Sequence, residues 1–199
     1  MARTRADDFE QKQNAILKSA AAVIAELGME KASMAQVASH VGVSKALLYH
    51  YYPSKDALIF DIIKTHLLEL DHAVTEADDK AISADSRLRQ LIWAVLDTYR
   101  DADDEHKVQL NASSALNDTQ KAEIRAIERR IVTHFCDTLA EINPLLINKD
   151  KPLIMPVAMS LFGILNWMFL WFRDDGKISR EDYSDIVSTM MLEGIKAVR

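Results

Sequence analysis

Apolar residues recur at helical spacing along almost the whole chain, and no alternating apolar and polar run is closed by a hairpin turn such as Asn-Gly. The pattern predicts an all-α protein of about nine helices. Ile16, Ala20, Val23, Ile24 and Leu27 mark one stripe of a first helix, which Gly28 ends by supplying a left-handed residue. Ser33 and Gln36 read as a capping box that starts a short second helix, and Ser44 caps a third. Ser54 caps a longer helix through Leu58, Ile59, Ile62, Ile63, Leu67 and Leu70, fraying near Asp78 to Lys80. Further helices are predicted from Asp85 to about Ala102, from Glu105 to about Leu116 and from Thr119 to about Ile142, where Asn143 and Pro144 break the pattern. Two long apolar helices close the chain, one from near Pro152 to Arg173 and one from Ser179, boxed with Asp182, to Val198.

No internal repeat appears, and no stretch is rich enough in Ser, Gly or Pro to be a flexible linker. Two modules in 199 residues must then share a continuous helix, the one that begins at Ser54. With 49% apolar residues the chain can bury a full core. The apolar stretch from Leu153 to Phe172 is interrupted by Pro156, Ser160, Gly163 and Asn166, which favours a buried helix over a membrane span. The N-terminus lacks the apolar core of a secretory signal, and Cys136 is the single cysteine, so a cytoplasmic location is expected.

Between Ser33 and Tyr52 the sequence SMAQVASHVGVSKALLYHYY has the spacing of two short helices crossing around a turn. Ala38 falls at the closest approach, Gly42 in the turn, and Val37, Val43 and Leu48 between the helices. A second helix of this kind lies in the major groove of DNA. Lys45 can reach a phosphate or a guanine edge, Tyr49 and His50 can donate to phosphates, and Lys55 opens the next helix beside the backbone. Ser33 and Ser44 offer hydroxyls or helix amides to phosphate oxygens, while Gln36 is a weaker candidate because the capping box occupies it. A compact helical hairpin with a tyrosine-rich core fits the same spacing.

The net charge of -6 speaks against a polyanionic partner when taken as an average. The charge is unevenly placed, however. Residues 1–55 carry seven basic and five acidic side chains, a net of +2, and the remainder a net of -8. One end can approach phosphate.

The segment from about residue 10 to 60 resembles the DNA-binding domain of the TetR family of transcriptional regulators. The resemblance rests on Leu27-Gly28, Val37-Ala38, Gly42-Val43-Ser44-Lys45, Leu48-Tyr49-His50-Tyr51-Tyr52 and Pro53-Ser54-Lys55-Asp56-Ala57-Leu58. It departs from the family pattern after the lysine, where Ala46 and Leu47 replace the small or polar residues often found there. Contact with a thymine methyl can substitute for a polar base contact. By the same analogy Tyr52 belongs to the small core, and Tyr51 fits either role. The resemblance implies an N-terminal three-helix domain with a helix-turn-helix over residues 1–53, and a larger helical ligand-binding and dimerisation domain over residues 54–199.

The family implies that two chains pair through the last two long helices. Leu161, Gly163, Leu165, Phe169 and Phe172 on one, with Ile186, Met190 and Ile195 on the other, are the candidate dimer interface, because these helices are more apolar than one packing face requires. A homodimer has an independent use, since one recognition helix reads few base pairs and a twofold pair reads a palindromic operator. Candidates for an effector pocket are Trp93, Leu96, Tyr99, Met155, Met159, Asn166, Trp167 and Trp171, with Asn111 and His134 as polar anchors. For each aromatic or Met residue a plain core or interface role is the commoner use. The ending LNWMFLWFRDDGKISREDY resembles regulators of fatty-acid, aromatic-acid or steroid breakdown that respond to acyl-coenzyme A thioesters. That resemblance implies an elongated apolar effector, whose phosphates Arg100, Arg125, Arg129 or Arg130 would meet unless they pair with neighbouring carboxylates.

The six His residues form no metal-binding spacing, and no phosphate loop, nucleophile elbow or Cys/His pair appears. No cofactor, metal or catalytic residue is expected. The expectation is a dimeric, effector-responsive repressor of double-stranded DNA, released by its ligand. The alternatives are an activator of the same family and a helical interaction module that touches no nucleic acid.

Overall fold

In a computed structural model the described residues are 2–112 and 115–199, with side chains from Lys12 onward. Among them are nine α-helices and no strand. The helices are α1 (Ala2–Leu27), α2 (Met34–Val41), α3 (Lys45–Tyr51), α4 (Lys55–Ala77), α5 (Ala84–Thr98), α6 (Asp103–Asn111), α7 (Asp118–Ile142), α8 (Ile154–Asn166) and α9 (Arg180–Ile195). Ser113 and Ser114 lie outside the described residues, so the predicted end of the sixth helix near Leu116 is compared only as far as Asn111.

The chain forms two units. One comprises residues 1–67 and 102–125, the other 68–101 and 126–199, so α4 and α7 each contribute to both. In the first unit α1 buries Ile16, Ala20, Val23 and Ile24, whereas Leu27, at the end of the predicted stripe, is 36% exposed. Beyond it the helix ends and Gly28 turns at φ 82°. The buried face of α1 meets α2 and α6. Asp103, Asp104 and Glu105 fill the first turn of α6, where negative charge suits the exposed amides of a helix start.

In the second unit α5 packs against α8 and α9, and Phe135 of α7 meets Phe162 of α8 edge to face at 4.9 Å. Ser179 and Asp182 form the predicted capping box at the start of α9. The eighth helix is shorter than its apolar run predicts. It begins after Leu153, takes Pro156 in its first turn, stops at Asn166 and tightens into a 3-10 turn over Met168–Leu170. The chain then turns so that Trp171 and Phe172 reach the Tyr183 ring of α9 at 5.0 and 5.9 Å, and Arg180 grips Asp174 at 2.7 Å. These contacts outweigh continued helix formation through a run of bulky aromatic residues.

Three buried polar groups act as fasteners. Arg180 donates to the Leu96 carbonyl near the end of α5 at 2.7 Å. Asn143 donates to the Ile195 and Val198 carbonyls at 2.8 and 3.0 Å, closing the end of α9. Arg87, 2% exposed, reaches Thr138 at 3.0 Å, Asp78 at 3.3 Å and Glu141 at 2.6 Å. Burial pushes the Asp78 carboxyl up, but hydrogen bonds from His134 and Lys80 outweigh it and hold the group below the ordinary carboxylate range.

His66 of α4 and His106 of α6 are both buried, with ring centroids 5.9 Å apart. Burial, and then the proximity of His106, lowers the His66 pKa from 6.5 to about 4. The unfolded chain therefore binds more protons than the folded one between these values, and stability falls as pH drops below 6.5. Urea unfolding should show a loss on the order of 1–2 kcal/mol between about pH 7 and pH 5 that is reduced in His66→Leu. An equal slope in both proteins would remove His66 as its source.

Candidate nucleic-acid interface

The helix-turn-helix is built by three local closures. Ser33 lies in extended backbone at φ -116°, its hydroxyl accepts from the Gln36 amide at 3.3 Å, and the Gln36 carboxamide oxygen accepts from the Ser33 amide at 2.9 Å. Gly42 turns left-handed at φ 75°, with its amide donating to Ser39 and the Val43 amide donating back to Ala38 at 3.0 Å. This pairing satisfies the last carbonyls of α2 and requires a residue without a Cβ penalty at position 42. Ser44 then accepts from the Leu47 amide at 3.1 Å and opens α3.

Between the helices Val37, Ala38 and Leu48 are buried, at 1%, 2% and 0% exposure, while Val43 is only half-buried. Tyr52 is buried, as expected of a core residue, and its hydroxyl donates to Asp61 at 2.9 Å. The same carboxylate oxygen accepts from Gln13 at 3.0 Å. One acceptor on α4 thereby holds the end of the recognition helix and a side chain of α1. Burial raises the Tyr52 pKa, keeping the hydroxyl protonated and able to donate.

Lys45, Ala46, Leu47, Tyr49 and His50 are exposed on α3, and Ser33, Gln36 and Ser44 are exposed around it. Lys45 Nζ lies 5.7 Å from the centre of the Tyr49 ring, one turn along. Tyr51 is half-buried, with its ring against those of His50 and Tyr52 at 6.0 and 6.5 Å. Lys55 is placed differently from the sequence expectation. Its ammonium donates to the Met29 and Ala32 carbonyls at 2.6 and 3.1 Å, fastening the start of α4 to the loop after α1. Sequence periodicity had no means of showing this contact, nor the Gln13 and Asp61 pair, because both join positions far apart in the chain.

The effector candidates separate in space. In the second unit Leu96 and Tyr99 are buried, Trp93 and Asn166 half-buried, and the Tyr99 hydroxyl donates to Asn166 Oδ1 at 2.8 Å. Burial, then the nearby Glu128 charge, raises the Tyr99 pKa. His134 meets Asp78 at 2.5 Å within the Arg87 cluster. Met155, Met159, Trp167 and Trp171 lie at the surface, with 50%, 43%, 61% and 54% exposure. Asn111 belongs to the first unit, where its amide donates to the Lys107 carbonyl. There it lines a surface cleft of about 420 Å³ with Ile24, Gly28, Met29 and Lys107. Arg100 pairs with Asp97 at 3.0 Å and Arg130 with Asp71 at 2.6 Å, while Arg125 and Arg129 are exposed.

The dimer candidates divide similarly. Leu161, Leu165 and Ile195 are 0%, 0% and 2% exposed, so the chain's own core consumes them and they have no surface to offer a partner. Phe169 and Phe172 are half-buried, and Gly163, Ile186 and Met190 are exposed. The apolar run of α8 has an inner and an outer side. The outer side is Met155, Met159 and Gly163, continued one residue past the helix by Trp167, one every four residues.

Among the described residues there is no His, Cys, Asp or Glu group suited to a metal, and no helix is long and apolar enough to cross a membrane. Residues 16–62 match the family described as bacterial regulatory proteins, tetR family, and residues 81–195 match a tetracyclin repressor-like C-terminal domain. The chain is 31% identical over 91 residues to the nucleoid occlusion factor SlmA of Pasteurella multocida, spanning about half the length of that relative, 46% of each protein. A TetR-family transcriptional regulator from Bordetella parapertussis superposes with a TM-score of 0.84 at 26% identity, over 94% of this chain and 97% of that one. AibR in complex with isovaleryl coenzyme A and operator DNA shares the fold, with a TM-score of 0.76 at 24% identity over 90% of this chain and 97% of that one. With the first match falling on the helix-turn-helix and the second on the helical body, this chain belongs to the TetR family, as a DNA-binding transcriptional regulator and not an enzyme.

Proposed function

We propose that the protein is a homodimeric repressor that binds a palindromic operator and is released by a small apolar effector. The observation that carries the reading is the recognition helix, which buries Leu48 alone and leaves Lys45, Ala46, Leu47, Tyr49 and His50 exposed. Residues 1–53 serve as the DNA-contacting domain and residues 54–199 receive the effector and the second copy. Lys45, Tyr49 and His50 contact the operator, with Ser33, Ser44 and the amide of Gln36 positioning the backbone and Tyr51 at the margin. Lys55 contributes by holding the start of α4. A regulator of this kind acts in the cytoplasm, where its operator is.

The second copy is supported by the apolar residues that the chain leaves outside. Met155, Met159 and Gly163 on α8, Trp167 just past its end, and Ile186 and Met190 on α9 are all exposed, four of them large apolar side chains more than 45% open to solvent. The effector site assigned to the body is the region of Trp93, Leu96, Tyr99 and Asn166, where the Tyr99 phenol donates to the Asn166 amide oxygen. An acyl-coenzyme A thioester fits the family likeness, since AibR, a protein of the same fold, is known with isovaleryl coenzyme A and operator DNA. Binding favours a dimer whose recognition helices are wrongly spaced for successive grooves, and α4 transmits the change; the shift is limited by the effector's differential affinity for the two states.

Lys45→Ala and Tyr49→Ala should each weaken binding to a genomic operator about fivefold or more, with thermal unfolding unchanged and the salt dependence reduced for Lys45→Ala. Unchanged affinity in both variants would remove these contacts, and no bound DNA at low salt would end the repressor reading. Met159→Glu combined with Met190→Glu should convert a sedimenting dimer to a monomer and lower operator affinity at least tenfold, whereas a persisting dimer would place the interface elsewhere. Acyl-coenzyme A thioesters should raise the melting temperature and release the operator in the same titration. A stabilised protein that stays on DNA would contradict induction.

A further inference from the structure

Helix α1 ends with an unfavourable arrangement of charge. Its last carbonyls form the negative end of a 26-residue helix, yet no basic side chain lies in the last turn; Glu26 stands there instead, and Glu30 follows just beyond. Gly28 turns the chain at φ 82°, and its amide donates to the Ile24 carbonyl at 2.9 Å. The cleft of about 420 Å³ lies here, lined by the end of α1, the turn after it and α6. Its volume falls within the range of roughly 300–1,000 Å³ common to small-molecule sites.

The cleft has fixed walls. On one side the Lys55 ammonium holds the Met29 and Ala32 carbonyls at 2.6 and 3.1 Å, and the Ala32 amide donates to the Gly28 carbonyl at 3.0 Å, so the turn after α1 is fastened. On the other side Val108, 1% exposed, anchors α6, and the Asn111 side-chain nitrogen donates to the Lys107 carbonyl at 2.8 Å, which leaves Asn111 Oδ1 as an acceptor. The ammonium groups of Lys55 and Lys107 are already engaged, the first by those two carbonyls and the second by Asp104 at 3.1 Å. Lys31 is exposed and does not line the cleft. Glu30 does line it, is exposed, and forms no ion pair among the described residues. The cleft thus offers a negative charge and an amide oxygen together with the apolar side chains of Ile24, Met29 and Val108.

We propose that this cleft is a binding site for a small organic cation, a protonated primary amine on a short apolar body. The ammonium donates to Glu30 and Asn111, and the hydrocarbon lies against Ile24, Met29 and Val108. An anion would meet the Glu30 charge and the negative end of α1, and a neutral hydrocarbon would displace water from the acceptors without replacing its hydrogen bonds. All the residues involved belong to the first unit, whereas the effector region assigned above belongs to the second, so the inference does not rest on that reading.

The test is a nuclear magnetic resonance titration of the full-length protein, labelled at its methionine methyl groups, with hexylammonium chloride at fixed ionic strength. The Met29 signal, identified by its loss in Met29→Leu, should shift saturably with a Kd at or below about 1 mM. An unmoved signal, or one that does not saturate, would overturn the proposal. Sodium hexanoate carries a similar hydrocarbon and the opposite charge, and should leave Met29 unmoved over the same range; an equal response would show that charge plays no part and would also overturn it. Glu30→Gln should weaken hexylammonium binding about threefold, the scale of a solvent-exposed charge pair. Asn111→Leu, which keeps the size and removes the acceptor, should weaken it as well. Both positions are exposed, and circular dichroism checks that the variants fold. An unchanged Kd in both variants would remove the assigned contacts and with them the site.

Discussion

A helix of seven residues cannot hold itself together in water, since its ordering costs more than its few internal hydrogen bonds return. The recognition helix α3 is of this length, and every use of the N-terminal unit depends on its being held by other elements. Leu48 anchors it from within, Ser44 caps its start, and Tyr52 ties its end to Asp61. Because Gln13 donates to the same carboxylate, α1, α3 and α4 meet at one oxygen. A half-buried acceptor shared in this way has both of these protein donors only when all three are in place, which helps give a short helix a defined position.

The same economy spares the outer side of α3. The groups that orient the helix are mostly turned inward or engaged in caps, leaving five exposed side chains on it. The small positive charge of residues 1–55 adds only modest attraction to phosphate. The acidity of the remaining chain, a net of -8, opposes unspecific contact with phosphate.

Much of the fold was legible in the sequence. The capping residues Ser33, Ser44, Ser54 and Ser179 were readable because a cap acts on amides two or three residues away. Gly42 was readable for the same reason, its left-handed turn being a property of one residue. The buried Arg87 was harder to see, although its place beside Leu88 and Leu91 in an apolar stripe was a signal, and its partners Asp78, Thr138 and Glu141 come from distant segments. The stop of α8 at Asn166 was also hidden, since it follows from aromatic contacts with Tyr183 and from the grip of Arg180 on Asp174.

The sequence by itself determined the helical class, the helix starts and the helix-turn-helix, because these depend on spacing and on contacts within a few residues. Only the tertiary structure decided which apolar residues of α8 and α9 were inside. Leu161, Leu165 and Ile195 went to the core, while Met155, Met159, Trp167 and Met190 were left at the surface. It also drew α6 against α1 and turned the Lys55 ammonium onto two carbonyls. Periodicity shows that a helix has an apolar face, but a helix apolar on most sides offers several, and the neighbour that covers one of them is chosen by packing between distant segments.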